Sequence, residues 1–150
     1  MPDYIVKVRD LRKTYDTGAT KVTPLENINL DILEGEFISM MGPSGSGKTT
    51  LLNIIAGVDT ATAGTVTVNG TNINDLSDSR LATWRNRNIG YIFQLFNLLP
   101  VLTAQENVEL PLMLLPLSAR QRRKQATMAL NAVGLGDPRH ARRVASVSGW

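Results

Sequence analysis

The sequence predicts an α/β fold: an N-terminal antiparallel β subdomain, a strand–loop–helix core, and helices beyond Gln94. Three observations lead there. Apolar and polar residues alternate over 5–8 and 28–32, the period-two mark of half-buried strands. An unbroken apolar run, residues 37–41, enters a glycine-rich segment that leaves as a helix. Farther on, hydroxyl side chains stand where helix N-caps belong, at Ser77, Thr103 and Ser118.

In chain order, the first expected strands are 5–8 and 28–32, with Thr17-Gly18-Ala19 and Pro24 between them as loop and turn. Residues 37–41 lack alternation, which suits a strand covered on both faces, and the run stops at Gly42. Over 48–56, Leu51, Leu52, Ile54 and Ile55 surround the axis, so a buried helix is expected, ending at Gly57. Residues 65–68 read as a strand closed by the hairpin signal Asn69-Gly70. Ser77 caps a short helix over 78–84, and 89–93 reads as a strand leading to Gln94. Thr103 caps a helix through Leu110, with Glu106 at the third position of a capping box. Pro111 and Pro116 then break the helical pattern. Ser118 caps a last helix, in which Ala119, Ala126, Ala129, Leu130 and Val133 share one face and Gly134 is the stop. Beyond Asp137-Pro138 no periodicity is found, and the chain has no internal repeat.

Length and composition bound the function. A chain of 150 residues is long enough for one domain with its own core. No apolar run approaches the roughly 18–20 residues a membrane-spanning helix needs, and MPDYIVKVRD lacks the form of a secretory signal. Without cysteine, disulfides and thiolate metal sites are excluded, which suits the cytoplasm. A soluble intracellular domain is expected. The net charge of +3 is uneven: residues 1–109 carry nine Lys and Arg against twelve Asp and Glu, residues 110–150 seven against one. The excess lies at Arg120, Arg122, Arg123 and Lys124, then Arg139, Arg142 and Arg143. Such a tail could meet nucleic acid or anionic lipid headgroups; aromatics interleaved as on a single-strand-binding surface are absent there, so a solvated helix face followed by an exposed terminus is expected, with no nucleic-acid partner.

The strongest chemical signal is Gly42-Pro43-Ser44-Gly45-Ser46-Gly47-Lys48-Thr49, a full match to G-x-x-x-x-G-K-[ST]. Glycines remove side chains, so backbone N–H groups can surround phosphate oxygens. The helix beginning at Lys48 points its positive end at the same anion. Lys48 supplies a cation for the β- and γ-phosphates, and the Thr49 hydroxyl can hold Mg²⁺. The flanks agree, with an apolar strand before the loop and an apolar helix after it, and the nucleotide-binding segment is read as Gly42 to Thr50. A nucleophile elbow is not satisfied, since Ser44 is followed two places on by Ser46 rather than by glycine. The dinucleotide fingerprint G-x-G-x-x-G does not occur. The fold expectation sharpens to a P-loop NTPase core. The loop alone does not separate a transporter ATPase from a small kinase or a GTPase.

The surroundings do. The segments LENINLDILEGEF (25–37), MGPSGSGKTTLLNIIAGVDTATAGTVTVNG (41–70) and IGYIFQLFNLLPVLTAQENVELPL (89–112) resemble the ATP-binding subunits of ABC transporters. The resemblance covers nearly all of residues 4–137 and is greatest to the branch serving lipoprotein release and macrolide-type export. It implies that LRKTYDTG (11–18) is the adenine-stacking loop, with Tyr15 as its aromatic, and that Gln94 approaches Mg²⁺ and the attacking water. It further implies an ATP-hydrolysing parent protein, a homodimer on a membrane-spanning transporter subunit at the cytoplasmic face of the membrane.

The family pattern is incomplete here. No LSGGQ signature is found, nor an apolar strand ending in Asp-Glu, nor a switch histidine; the last residues, SVSGW, place Ser148 and Gly149 as in the signature and Trp150 where a second glycine belongs. His140, between Arg139 and Ala141, reads as a solvated histidine. Residues 138–150 are an atypical tail, which a frame change or truncation near Asp137 would explain. The expectation is a chain that binds nucleotide without turnover. Two alternatives stand beside it: an ABC-type ATPase acting on nucleic acid or ribosomes, and a non-catalytic nucleotide-binding remnant.

Overall fold

A computed structural model describes residues 4–93 and 97–136 of the chain. It divides into two units, one through Tyr91 and one from Ile92.

The first unit is built on an antiparallel sheet. Strands β1 (Tyr4–Asp16), β2 (Lys21–Leu33), β3 (Ala63–Val68) and β4 (Thr71–Asn72) lie in the order β2-β1-β3-β4. Val8 pairs with Leu30 on one side and Val66 on the other. Both long strands extend well past the expected 5–8 and 28–32, and a bulge explains why the pattern hid this. Asp10 takes a φ of 48°, and the register shifts between Val8 and Leu11. The irregularity reverses side-chain parity, so Val6 and Val8 before it, and Leu11 and Lys13 after it, are all buried. Gly64 faces the bulge from β3; a Cβ there would lie 2.6 Å from the Arg9 carbonyl oxygen. Pro24, expected in a turn, lies inside β2. That strand is at the sheet edge, where a missing N–H need break no ladder. The β3–β4 turn is as expected, with Asn69 and Gly70 both at positive φ.

Helix α1 (Lys48–Ile55) packs on β2 and β3, and α2 (Asp78–Asn88) follows a 3₁₀ turn at Ile73–Asp75. The core joins Val6, Val8, Leu11, Leu25, Val66 and Val68 of the sheet to Leu51 and Ile54 of α1, with Ile73 and Trp84. α1 is not buried all round, since Leu52 is about half exposed; its described apolar cover is on the sheet side. Ser77 occupies the N-cap of α2 as expected, but its hydroxyl makes no capping hydrogen bond.

Two expected strands do not form. Residues 37–41 join no ladder among the described residues; Met40 packs on the core, while Phe37 and Met41 are 95% and 89% exposed. An apolar run becomes a strand only when neighbours take its N–H and C=O groups, and no described segment flanks this one. Residues 89–93 are likewise not a strand. α2 runs to Asn88, four residues beyond the expected end, and the Ile89 N–H closes it on the Arg85 carbonyl (3.0 Å).

The second unit contains α3 (Ala104–Glu109), a 3₁₀ turn at Pro111–Leu114, and α4 (Ala119–Ala132). Thr103 with Glu106 and Ser118 with Gln121 form complete capping boxes. α3 packs on α4, burying Ala104, Ala126 and Leu130. Ala119, Ala129 and Val133 are exposed, a narrower buried face than expected, because the short α3 covers only part of α4. Arg120, Arg123 and Lys124 lie on the solvated side, and Arg122 donates to the Leu117 carbonyl (2.7 Å). No helix among the described residues is long and apolar enough to cross a membrane.

Candidate functional site

The glycine-rich loop runs from residues 37–41 into α1. Gly47, the N-cap, is buried in the left-handed region with a φ of 84°. A Cβ there would lie 2.6 Å from the Pro24 carbonyl oxygen and 2.8 Å from Leu25 Cδ2, so only glycine seats the loop against β2. No side chain caps α1. Its first-turn N–H groups therefore remain available to an anion, at the positive end of the helix dipole.

Lys48 draws the loop around itself. Its Nζ donates to the Gly42 carbonyl (2.8 Å), the Pro43 carbonyl (2.7 Å) and Ser46 Oγ (3.1 Å). The Ser46 N–H returns to the Pro43 carbonyl (3.3 Å), leaving Ser44 and Gly45 as the exposed tip. The ammonium thus stands beside the open helix end, where a chain of phosphates would meet both. Thr49 is exposed on the first turn and Thr50 is half-buried. The described residues hold no cluster of three or more His, Cys, Asp or Glu side chains. A divalent ion at this site fits Thr49 together with phosphate oxygens, the usual manner for Mg²⁺.

Tyr15, 40% exposed, belongs to a second cluster. Its hydroxyl donates to Asp59 Oδ2 (2.6 Å), and the Lys13 ammonium lies 4.7 Å from its ring centroid. Lys13 Nζ also donates to Asp59 Oδ1 (2.5 Å) and the Thr60 carbonyl (2.7 Å), and the Thr60 N–H to Asp59 Oδ1 (2.7 Å). Burial alone would raise the Asp59 pKa; hydrogen bonds from Lys13, Tyr15 and the Thr60 N–H outweigh it and hold the carboxyl below its ordinary range. The Tyr15 phenol is pushed up, first by donating to Asp59 and then by burial, with the Thr50 hydroxyl opposing.

Gln94 lies outside the described residues, as do His140, Ser148 and Gly149. The Tyr91 hydroxyl, three residues before Gln94, donates to Asn53 Oδ1 on α1 (3.0 Å). Sequence reasoning missed Lys13 and Asp59. Alternation places Lys13 on the face of Tyr15 once the strand is known to continue, but no local signal pairs it with a residue 46 positions away.

The family model described as ABC transporter matches residues 25–149. An ABC transporter ATP-binding protein of Thermotoga maritima is 45% identical over 92% of this chain and 59% of its own length. The macrolide export ATP-binding/permease protein MacB of Brucella abortus is 45% identical over 89% of this chain and 21% of its own. Among solved structures, the ATP-binding cassette MJ0796, known from Methanocaldococcus jannaschii, was seen as a dimer in a post-hydrolysis state bound to ADP and Pi. It matches with a TM-score of 0.79 and 47% identity, over 91% of this chain and 60% of that one. The chain thus spans about three fifths of the Thermotoga relative and of that cassette. With the α/β architecture and the loop geometry, these matches establish that the chain belongs to the ABC transporter family, among its ATP-binding proteins.

Proposed function

We propose that the chain binds Mg-ATP as the front portion (residues 1–150) of the nucleotide-binding domain of an ABC transporter subunit. One observation supports this above the others: Lys48 gathers the 42–47 loop at an uncapped helix N-terminus. In this reading, backbone N–H groups from Gly42, Ser44, Gly45 and Gly47 surround the phosphates, joined by that of Ser46 as it exchanges the Pro43 carbonyl for a phosphate oxygen, while Pro43, which has no N–H, stiffens the turn. Lys48 neutralises the β- and γ-phosphates, and the N–H groups of Thr49 and Thr50 complete the cradle. The Thr49 hydroxyl would hold Mg²⁺, which would supply positive charge against the phosphates. Tyr15 would stack on the adenine, and Gln94 would serve the metal and the attacking water in the parent protein.

The parent protein, on this proposal, couples ATP hydrolysis to export or lipoprotein-linked transport, as a dimer on a membrane-spanning subunit at the cytoplasmic face. MacB, whose name joins ATP binding to a permease, supports the partner and the direction; the dimeric cassette supports the assembly. Residues 1–150 include no LSGGQ signature and no apolar strand ending in Asp-Glu, so this chain alone is predicted not to turn ATP over.

The test is ligand-linked stabilisation. At Mg-ATP one hundred times above Kd, about 2.7 kcal/mol is expected, and Lys48→Ala should remove it. An equal thermal shift in parent and variant would overturn the site.

A further inference from the structure

We infer that Lys13 and Asp59 are positioning residues that hold the Tyr15 ring as a base-stacking platform, and so set a preference for nucleotide over bare polyphosphate. The inference rests on the nucleotide-binding reading above. Past the bulge at Asp10, Leu11 and Lys13 turn inward and the Lys13 ammonium meets the Tyr15 ring. A tyrosine near the end of a strand, 40% exposed, would ordinarily sample several rotamers. Tyr15 is held twice: its hydroxyl by Asp59 and its ring by the Lys13 ammonium. The ring's exposed part is what a base could meet. Rotamer entropy lost before binding is not lost again when a base stacks.

Asp59 also sets where the platform stands. Its own N–H and that of Val58 both donate to the Asn53 carbonyl (3.1 and 2.8 Å), fixing it to the last turns of α1. The N-terminus of that same helix forms the phosphate site. Asp59 thus ties the ring to the helix whose N-terminus forms the proposed phosphate site, and a nucleotide offers that ring a base where inorganic triphosphate offers none. Lys13 is 8% exposed, so its charge cannot turn to solvent without leaving Asp59.

Calorimetric titration with Mg-ATP and, separately, Mg-inorganic triphosphate tests this. Tyr15→Ala reports the base contact: ATP should weaken and triphosphate should not. Asp59→Asn and Lys13→Met should weaken ATP by about three- to tenfold, the size of a lost cation–π or tethering contact, with triphosphate unchanged. Tyr15→Phe keeps the ring and every charge and loses only the tether, so it decides the matter if the other two fold poorly; the same selective loss is expected. Parent-like ATP affinity in Tyr15→Phe and Asp59→Asn, with Tyr15→Ala still selective, would overturn the positioning role while leaving the stacking contact. Parent-like affinity in Lys13→Met alone would overturn the part assigned to Lys13. If Tyr15→Ala affects both ligands equally, or neither, the base contact fails and the inference with it.

Discussion

At Gly47 one missing methyl decides whether the glycine-rich loop can seat against β2. Its φ of 84° and the Pro24 carbonyl 2.6 Å from any Cβ act together, so Gly47→Ala meets both a backbone penalty and a backbone collision. The first costs about 1–2 kcal/mol and the overpacking about 1–3 kcal/mol more. Gly47→Ala should therefore lower the free energy of unfolding by that order and weaken Mg-ATP binding, read by urea titration and calorimetry. Asp59 makes a pH prediction. Its folded pKa is depressed, so its contribution is present above the ordinary carboxylate range near about 4 and is lost as pH falls through the folded value. Acid titration of stability should be shallower in Asp59→Asn over that window; an unchanged slope would count against the Lys13–Asp59–Tyr15 cluster. The two clusters differ in how far the sequence revealed them. Spacing within eight consecutive residues identifies the loop, because its chemistry is local. The partner of Lys13 becomes visible only when the sheet and α1 bring residue 59 to residue 13.

Among the elements, both strand errors and cap errors have physical causes. Alternation is a sound signal for β1 until Asp10, where a left-handed residue inverts parity and a pattern search loses the strand. Proline breaks a strand only where the ladder needs an N–H at that position, and on the edge strand β2 it need not. Ser77 and Ser118 look alike in the sequence as caps. In the fold, Ser118 Oγ accepts from the Gln121 N–H (3.3 Å) and Gln121 Oε1 accepts from the Ser118 N–H (2.8 Å), whereas Ser77 caps nothing. Ser118→Ala should cost about 1 kcal/mol of local helix stability, seen as faster amide exchange over the first turn of α4. Ser77→Ala should leave the first turn of α2 at parent exchange rates. Equal effects at both helices would show that the hydroxyls act through something other than capping.

At the scale of the whole chain, local signals for helices succeed where those for the central strands fail, and the difference lies in hydrogen-bond partners. A capped helix satisfies its own backbone; a buried parallel strand depends on neighbours distant in sequence. Residues 37–41 have the composition of such a strand and no ladder among the described residues, which leaves Phe37 and Met41 almost wholly exposed. In the second unit Ile92 and Val101 are 96% and 89% exposed. Each large apolar side chain left in water forgoes roughly 1.5–3 kcal/mol of burial, and a few such losses rival the ~5–15 kcal/mol that holds a typical domain together. An unpaired apolar run also invites pairing between chains. Residues 1–150 alone are therefore expected to melt early or aggregate. For want of the signature and the Asp-Glu pair they should also release phosphate from Mg-ATP no faster than buffer. Purified chain, followed by thermal melt and by phosphate release, tests both. A cooperative transition above ~60 °C, beyond most of the mesophile range, would mean that the exposed apolar residues find cover in solution. Steady phosphate release that Lys48→Ala abolishes would mean that the chain assembles a catalytic centre from residues outside the pattern of its family.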